Sequence, residues 1–251
     1  MKNLFCLSKT KLNNIEKKPF SGMAFDGEYF YTCFHKSSNI YIFNLEGDFI
    51  KSCNTERPYT SLCYDTVEKC FWAVSEENNE ILYKLNLDFI ITEEIKILTE
   101  YLESINSISY NHNDDNLIIT NYEGVYIVKK SGEIFYKYRN NKKNVTLTAG
   151  IILDEILRCN IYDPSSINMI NIINIIYPMY NNEDIWCLPN GFMANSICTA
   201  YDDSGNIFLF ILTTKEFKES YILKYECLVE NNVKINEVED NPMICIQEIN
   251  G

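Results

Sequence analysis

Positive charge is scarce in this chain. Lys and Arg total 22 against 35 Asp and Glu, a formal net charge of -13 over 251 residues. Such a field repels a phosphate backbone, and no stripe of Lys or Arg stands out against it, so nucleic acid is excluded as the expected partner. Long apolar runs are also missing. None reaches the ~18 residues of a membrane span, and the start, MKNLFCLSKTKLNN, has too short an apolar stretch for a secretory signal core. We therefore expect a cytoplasmic, monomeric protein without a membrane partner. Histidine is limited to His35 and His112. A nucleophile elbow (GxSxG), a phosphate loop (GxxxxGKS) and a HExxH zinc motif are all absent, so no local signature of catalysis is carried.

Cysteine, in contrast, is abundant, with ten residues, yet no pair has CxxC spacing and most sit in apolar runs such as KCFWAV and KYECLV. A chain of this length can bury a core of its own and needs no disulfide staples. The cysteines read as small buried hydrophobes in a reducing compartment. With 46% hydrophobic and 14% aromatic residues and interspersed charge, the chain is globular. Its length fits one all-β domain over 1–251.

What is present is a repeat. A small, aromatic, acidic or amide triplet recurs as AFD at 24–26, CYD at 63–65, SYN at 109–111 and AYD at 200–202. In the first copy GMAF and EYFYTC are β-rich runs joined by Asp26-Gly27, a hairpin turn signal. A polar loop HKSSN, a third run IYIFNL, the turn Glu46-Gly47-Asp48 and a fourth run FIKSC follow. A divergent copy begins near residue 145. The anchors Asp26, Asp65, Asn111, Asp154 and Asp202 are 39, 46, 43 and 48 residues apart. Four strands every ~40 to 50 residues is the signature of propeller blades. The expected fold is an all-β propeller of four-stranded antiparallel blades, five in number with six as the alternative. Runs at 3–8 and 243–248 both read as strands, and pairing of the two termini is expected to close the ring. Segment 163–180, DPSSINMINIINIIYPMY, fits less well and reads as an inserted strand or a short helix.

The segment 22–53 resembles a blade of NHL-type propellers and their lactonase-like relatives. That resemblance implies a fold but not an activity. The lactonase-like members hold Ca²⁺ with Glu, Asn and Asp in the central channel, and no residue here matches that set by motif.

The anchors themselves read as turn caps. The loops at the opposite end of the first strand form the candidate ligand-binding face, with His35, Arg57, Glu76, Glu77, Asn121, Glu123 and Arg139. Tyr59, Tyr101, Tyr122 and Tyr180, near the loops, could add contact area. His112 belongs to the turn end and His35 to the loop end, which argues against a shared His site. The expected function is a non-enzymatic scaffold that binds a protein or peptide on one face, with no cofactor and no metal residues. The alternative is a Ca²⁺-dependent lactonase- or esterase-like hydrolase.

Overall fold

Short β-rich runs bounded by Asp, Asn and Gly turns favour short antiparallel strands. The computed structural model describes residues 2–13, 19–98, 105–121, 124–139, 145–152, 155–161, 169–174, 185–188, 192–202, 204–215 and 218–229. They form twenty strands. The first, β1 (Lys2–Lys11), is followed by β2 (Gly22–Phe25), β3 (Phe30–Cys33), β4 (Asn39–Phe43) and β5 (Phe49–Asn54). The next group is β6 (Ser61–Asp65), β7 (Cys70–Ser75), β8 (Asn78–Leu85) and β9 (Ile91–Lys96). Then come β10 (Ser107–Asn111), β11 (Asn116–Asn121), β12 (Gly124–Val128) and β13 (Ile134–Arg139). After these lie β14 (Val145–Ile152), β15 (Glu155–Ile161), β16 (Met169–Asn174) and β17 (Ile185–Cys187). The last three are β18 (Phe192–Tyr201), β19 (Ile207–Lys215) and β20 (Glu219–Val229).

Strands β2–β5, β6–β9, β10–β13 and β14–β17 each fold into a four-stranded antiparallel sheet, β1 joins β18–β20 in another, and the first strands meet side by side in the cyclic order β2, β6, β10, β14, β18 and back to β2. That ring is a β-propeller. Its first strands line the axis and its fourth strands face outward.

The structure departs from the sequence expectation in two respects. Blades drawn from four consecutive strands number four, not five or six: β2–β5, β6–β9, β10–β13 and β14–β17. The remaining sheet is composite, with order β1-β20-β19-β18. Nor does pairing of the two chain ends close the ring. Strand β1 runs along β20, from Lys2 opposite Val229 to Lys11 opposite Tyr221. The physical reason is length and pattern: β20, ESYILKYECLV, is an eleven-residue run that can support the whole ten-residue β1 and offers the outer edge of the β18–β20 meander. The expected strand at 243–248 lies outside the described residues. In segment 163–180, Met169–Asn174 is strand β16 in regular register between β15 and β17, as the β-branched Ile run favours; its Asp-Pro-Ser-Ser start lies outside the described residues.

The core sits between blades. One cluster joins Trp72, Val74 and Leu82 to Ile108, Leu117 and Tyr126. A second joins Ala24, Cys33 and Ile40 to Leu62, Phe71 and Tyr83. A third places Phe20, Met23 and Phe43 against Cys198, Phe210 and Leu212 of the composite sheet. Fully burying a side chain of this size contributes roughly 1.5–3 kcal/mol, so the contacts between neighbouring blades contribute strongly to stability.

Backbone bonds repeat the same joint. Asn13 N–H donates to the Gly47 carbonyl at 3.0 Å, and Leu98 N–H donates to the Gly132 carbonyl at 2.9 Å. Each glycine tops the turn into a fourth strand and meets the end of the preceding blade's outer strand. Both have positive φ, 84° and 88°, and a Cβ would press into the Lys11 or Lys96 carbonyl. Deeper in, Ser196 Oγ accepts from Met23 N–H at 3.2 Å and Ser61 Oγ accepts from Ile108 N–H at 3.2 Å. These buried bonds fix one first strand against the next.

Candidate functional site

Antiparallel pairing of Gly22 with Cys33 and of Phe25 with Phe30 puts Asp26 at one end of the ring and His35 at the other. Every blade runs in the same sense, so the ring has a turn end and a loop end. Residues 55–60 carry the chain from outer β5 to inner β6 at the loop end. Thr55 N–H donates to the Ser38 carbonyl at 2.7 Å, Thr60 N–H donates to the Val74 carbonyl at 2.9 Å, and Thr55 Oγ1 donates to the Arg57 carbonyl at 2.8 Å. A connection so tied aims its side chains reproducibly.

Arg57 lies over the Tyr83 ring, its Cζ 4.4 Å from the centroid. Its Nη1 donates to Tyr83 Oη at 2.8 Å, and its Nη2 is 3.3 Å from Glu94 Oε1. Tyr59 packs on the same ring at 5.8 Å and is 1% exposed. Nearby, His35 Nδ1 stands 3.9 Å from Glu76 Oε2, joining adjacent blades through two exposed side chains. Glu77 is exposed, and its N–H donates to Ser75 Oγ at 3.2 Å. Asn121 is buried; its Oδ1 accepts from Gly124 N–H at 3.0 Å, which makes it a turn cap in the third blade. The structure thus pairs His35 with Glu76 and Arg57 with Glu94, while Asn121 serves the backbone. Arg139 ends β13 opposite Gly124, at the loop end. Glu123, Tyr101, Tyr122 and Tyr180 lie outside the described residues.

The anchors at the turn end are caps. Asp26 Oδ1 accepts from the N–H groups of Glu28 and Tyr29, both at 2.8 Å. Asp202 Oδ1 does the same for Ser204 and Asn206 at 2.9 and 2.8 Å, and Asn111 Oδ1 accepts from Asn113 N–H at 3.1 Å. Asp154 lies outside the described residues. Asp65 does more. Besides the N–H groups of Val67 and Glu68, it takes the Trp72 indole at 3.2 Å and the Lys130 ammonium at 2.6 Å. Lys130 also pairs with Asp115 and, at 3.0 Å, with Glu68. Burial pushes the Asp65 carboxyl up, yet Lys130, the Glu68 N–H and the Trp72 indole outweigh it and hold it below the ordinary value. Sequence reasoning missed this hub. Lys130 stands 65 positions from Asp65 in an ordinary KKSGE turn, and only the ring brings the two together.

Asp65, Glu68 and Cys70 are, among the described residues, the one grouping of three His, Cys, Asp or Glu side chains close enough to share a metal ion. They do not fit Ca²⁺. The Lys130 ammonium already stands between the two carboxylates, and burial, followed by the Asp65 charge, lifts the Cys70 thiol to about 11. Ca²⁺ asks for six to eight oxygens, not a protonated thiol beside a resident cation.

His112 closes the same end. Its Nε2 is 2.9 Å from the Thr199 carbonyl, an acceptor only, so Nε2 carries the proton and Nδ1 accepts from Thr66 Oγ1 at 3.0 Å. Tyr110 and Tyr201 meet the ring edge-on at 4.9 and 5.4 Å. Burial depresses the His112 pKa. Three sheets are thereby joined by one imidazole far from His35, in line with the separate placement expected for the two histidines.

No family model matches the chain, and no curated protein matches it. Among solved structures it is similar to the tail fiber of Staphylococcus aureus phage P68, with a TM-score of 0.63 at 10% identity over 89% of this chain and 52% of that one. The likeness is one of fold. The chain spans about half the length of that tail-fiber chain. A weaker similarity, TM-score 0.44 at 13% identity, is to Kuenenia stuttgartiensis hydrazine synthase, covering 77% of this chain and 64% of that one.

Proposed function

We propose that the protein is a non-enzymatic propeller that binds a protein or peptide partner on its loop end, with the blade style of the NHL-type repeat. The observation that carries this reading is the pairing of His35 with Glu76 and of Arg57 with Glu94 across neighbouring strands and blades at that end. These are partly exposed, polar and aromatic-backed groups of the kind that supply contact energy and register at protein interfaces. The acidic cluster at the opposite end is engaged with Lys130 and serves the joint between blades. A thermal melt in EDTA compared with added Ca²⁺ tests the reading. A ligand of the native state raises the midpoint by mass action, worth about 2.7 kcal/mol at a hundredfold excess over Kd. The scaffold reading expects identical melts, and an EDTA-reversible rise with Ca²⁺ would overturn it in favour of metal-assisted hydrolysis.

A further inference from the structure

We propose that Arg57 Nε and Tyr59 Oη form a paired donor site for an uncharged carbonyl oxygen of a peptide partner. The proposal rests on the loop-end reading above and names the chemistry that anchors the partner there. Both atoms are buried, and neither has a hydrogen-bond partner among the described residues. Buried polar groups in folded proteins are otherwise nearly always paired. Both side chains rest on the same Tyr83 ring, Arg57 at 4.4 Å and Tyr59 at 5.8 Å, and both come from the short connection that the Thr55 and Thr60 backbone bonds hold in place.

The chemistry of the missing partner follows from the donors. Arg57 Nε–H can only donate. Burial, ahead of the opposing Arg57 charge, keeps the Tyr59 proton on its oxygen, so this group too is offered as a donor. The fitting partner is an oxygen with two lone pairs. Its charge is set by the surroundings: Glu94 already balances Arg57, and the whole chain carries -13. A carboxylate would compete with Glu94 and enter against that field, whereas a peptide carbonyl would not. The Arg57–Glu94 pair is partly exposed, its side chains 27% and 50% accessible, and an ion pair of that kind holds little free energy against displacement by a partner.

The test uses protein labelled with ¹³Cζ-tyrosine, titrated by NMR with N-methylacetamide and separately with sodium acetate at constant ionic strength. The Tyr59 signal is assigned by its loss in Tyr59→Phe. The expected result is a saturable shift with the amide, weakened about fivefold in Arg57→Lys, which keeps the positive charge but lacks the Nε–H, and no shift with acetate. Tyr59→Phe is expected to leave the melting midpoint unchanged or raised, because it deletes a hydroxyl that has no partner. No shift with the amide, an equal shift in Arg57→Lys, a response to acetate alone, or a lowered midpoint in Tyr59→Phe would each overturn the proposal. Photo-crosslinking from position 35 is a separate readout. A crosslinked partner that persists without an amide response would leave the loop-end reading standing and this site refuted.

Discussion

Lys130 Nζ lies 2.6 Å from a carboxylate oxygen of Asp65, which is fully buried one blade away. Removing one member of such a pair strands the other charge in a low dielectric, which costs far more than the pair itself contributes. Lys130→Met is expected to lower stability by about 3 kcal/mol, measured by urea unfolding. Asp65→Asn combined with Lys130→Met should recover part of that loss, because the buried charge is removed and only the part-exposed Glu68 and Asp115 lose a partner. Equal stability of wild type and Lys130→Met would show that the hub does not hold the blades together.

The His112 imidazole predicts a pH dependence. Its folded pKa is depressed below the ordinary 6.5, first by burial, so the unfolded chain takes up the proton before the folded one does. Its contribution to stability is therefore full above pH 6.5 and is lost as pH falls through the folded value. The melting midpoint should be flat from pH 8 to 7 and decline towards pH 5, and His112→Gln should flatten that decline. The carboxylate of Asp65, held below its ordinary 3.8, adds a separate loss only under more acidic conditions.

Ala24 is fully buried on β2, within the cluster that packs the first blade on the second. Ala24→Leu should overpack this joint and cost on the order of 1–3 kcal/mol. An unchanged melting midpoint would mean that the first strands do not crowd around the axis.

Thiol reactivity follows burial. Cys33, Cys63, Cys70 and Cys198 are buried, Cys53 is partly buried and Cys6 is exposed. Burial raises the pKa of Cys33 to about 12 and also lifts those of Cys63 and Cys198. Brief alkylation of the native protein at pH 8 should label Cys6 and Cys53 well before these four. Peptide mass spectrometry reads the order, and early labelling of Cys63 would contradict the packing described.

The repeat was legible because its signals are local. Asp26 and Asp202 cap the turns that follow them within a few residues, and Gly47 and Gly132 sit where φ must be positive. Ring closure was harder to read. The N-terminal run at 3–8 could be read as a strand, but nothing in its own residues says that its partner is Glu219–Val229 and not a run nearer the C-terminus. The same limit hid Lys130 from Asp65, His112 from Thr199 and Glu94 from Arg57. Each of these pairs depends on how blades are stacked, which strand periodicity does not encode. The loop-end candidates His35, Arg57, Glu76 and Glu77 were found because blade topology alone sends those loops to one end. Asn121 looked the same in sequence, yet its side chain is buried and its Oδ1 accepts from the Gly124 N–H.

The most direct measurement is site-specific photo-crosslinking in an extract of the source cells. Benzoylphenylalanine is placed either at His35, 61% exposed at the loop end, or at Leu87, 60% exposed at the turn end. The account predicts a discrete protein adduct from position 35, competed away by unlabelled wild type, and none from position 87. An adduct from position 87 alone, or from neither position, would contradict the assignment of binding to the loop end.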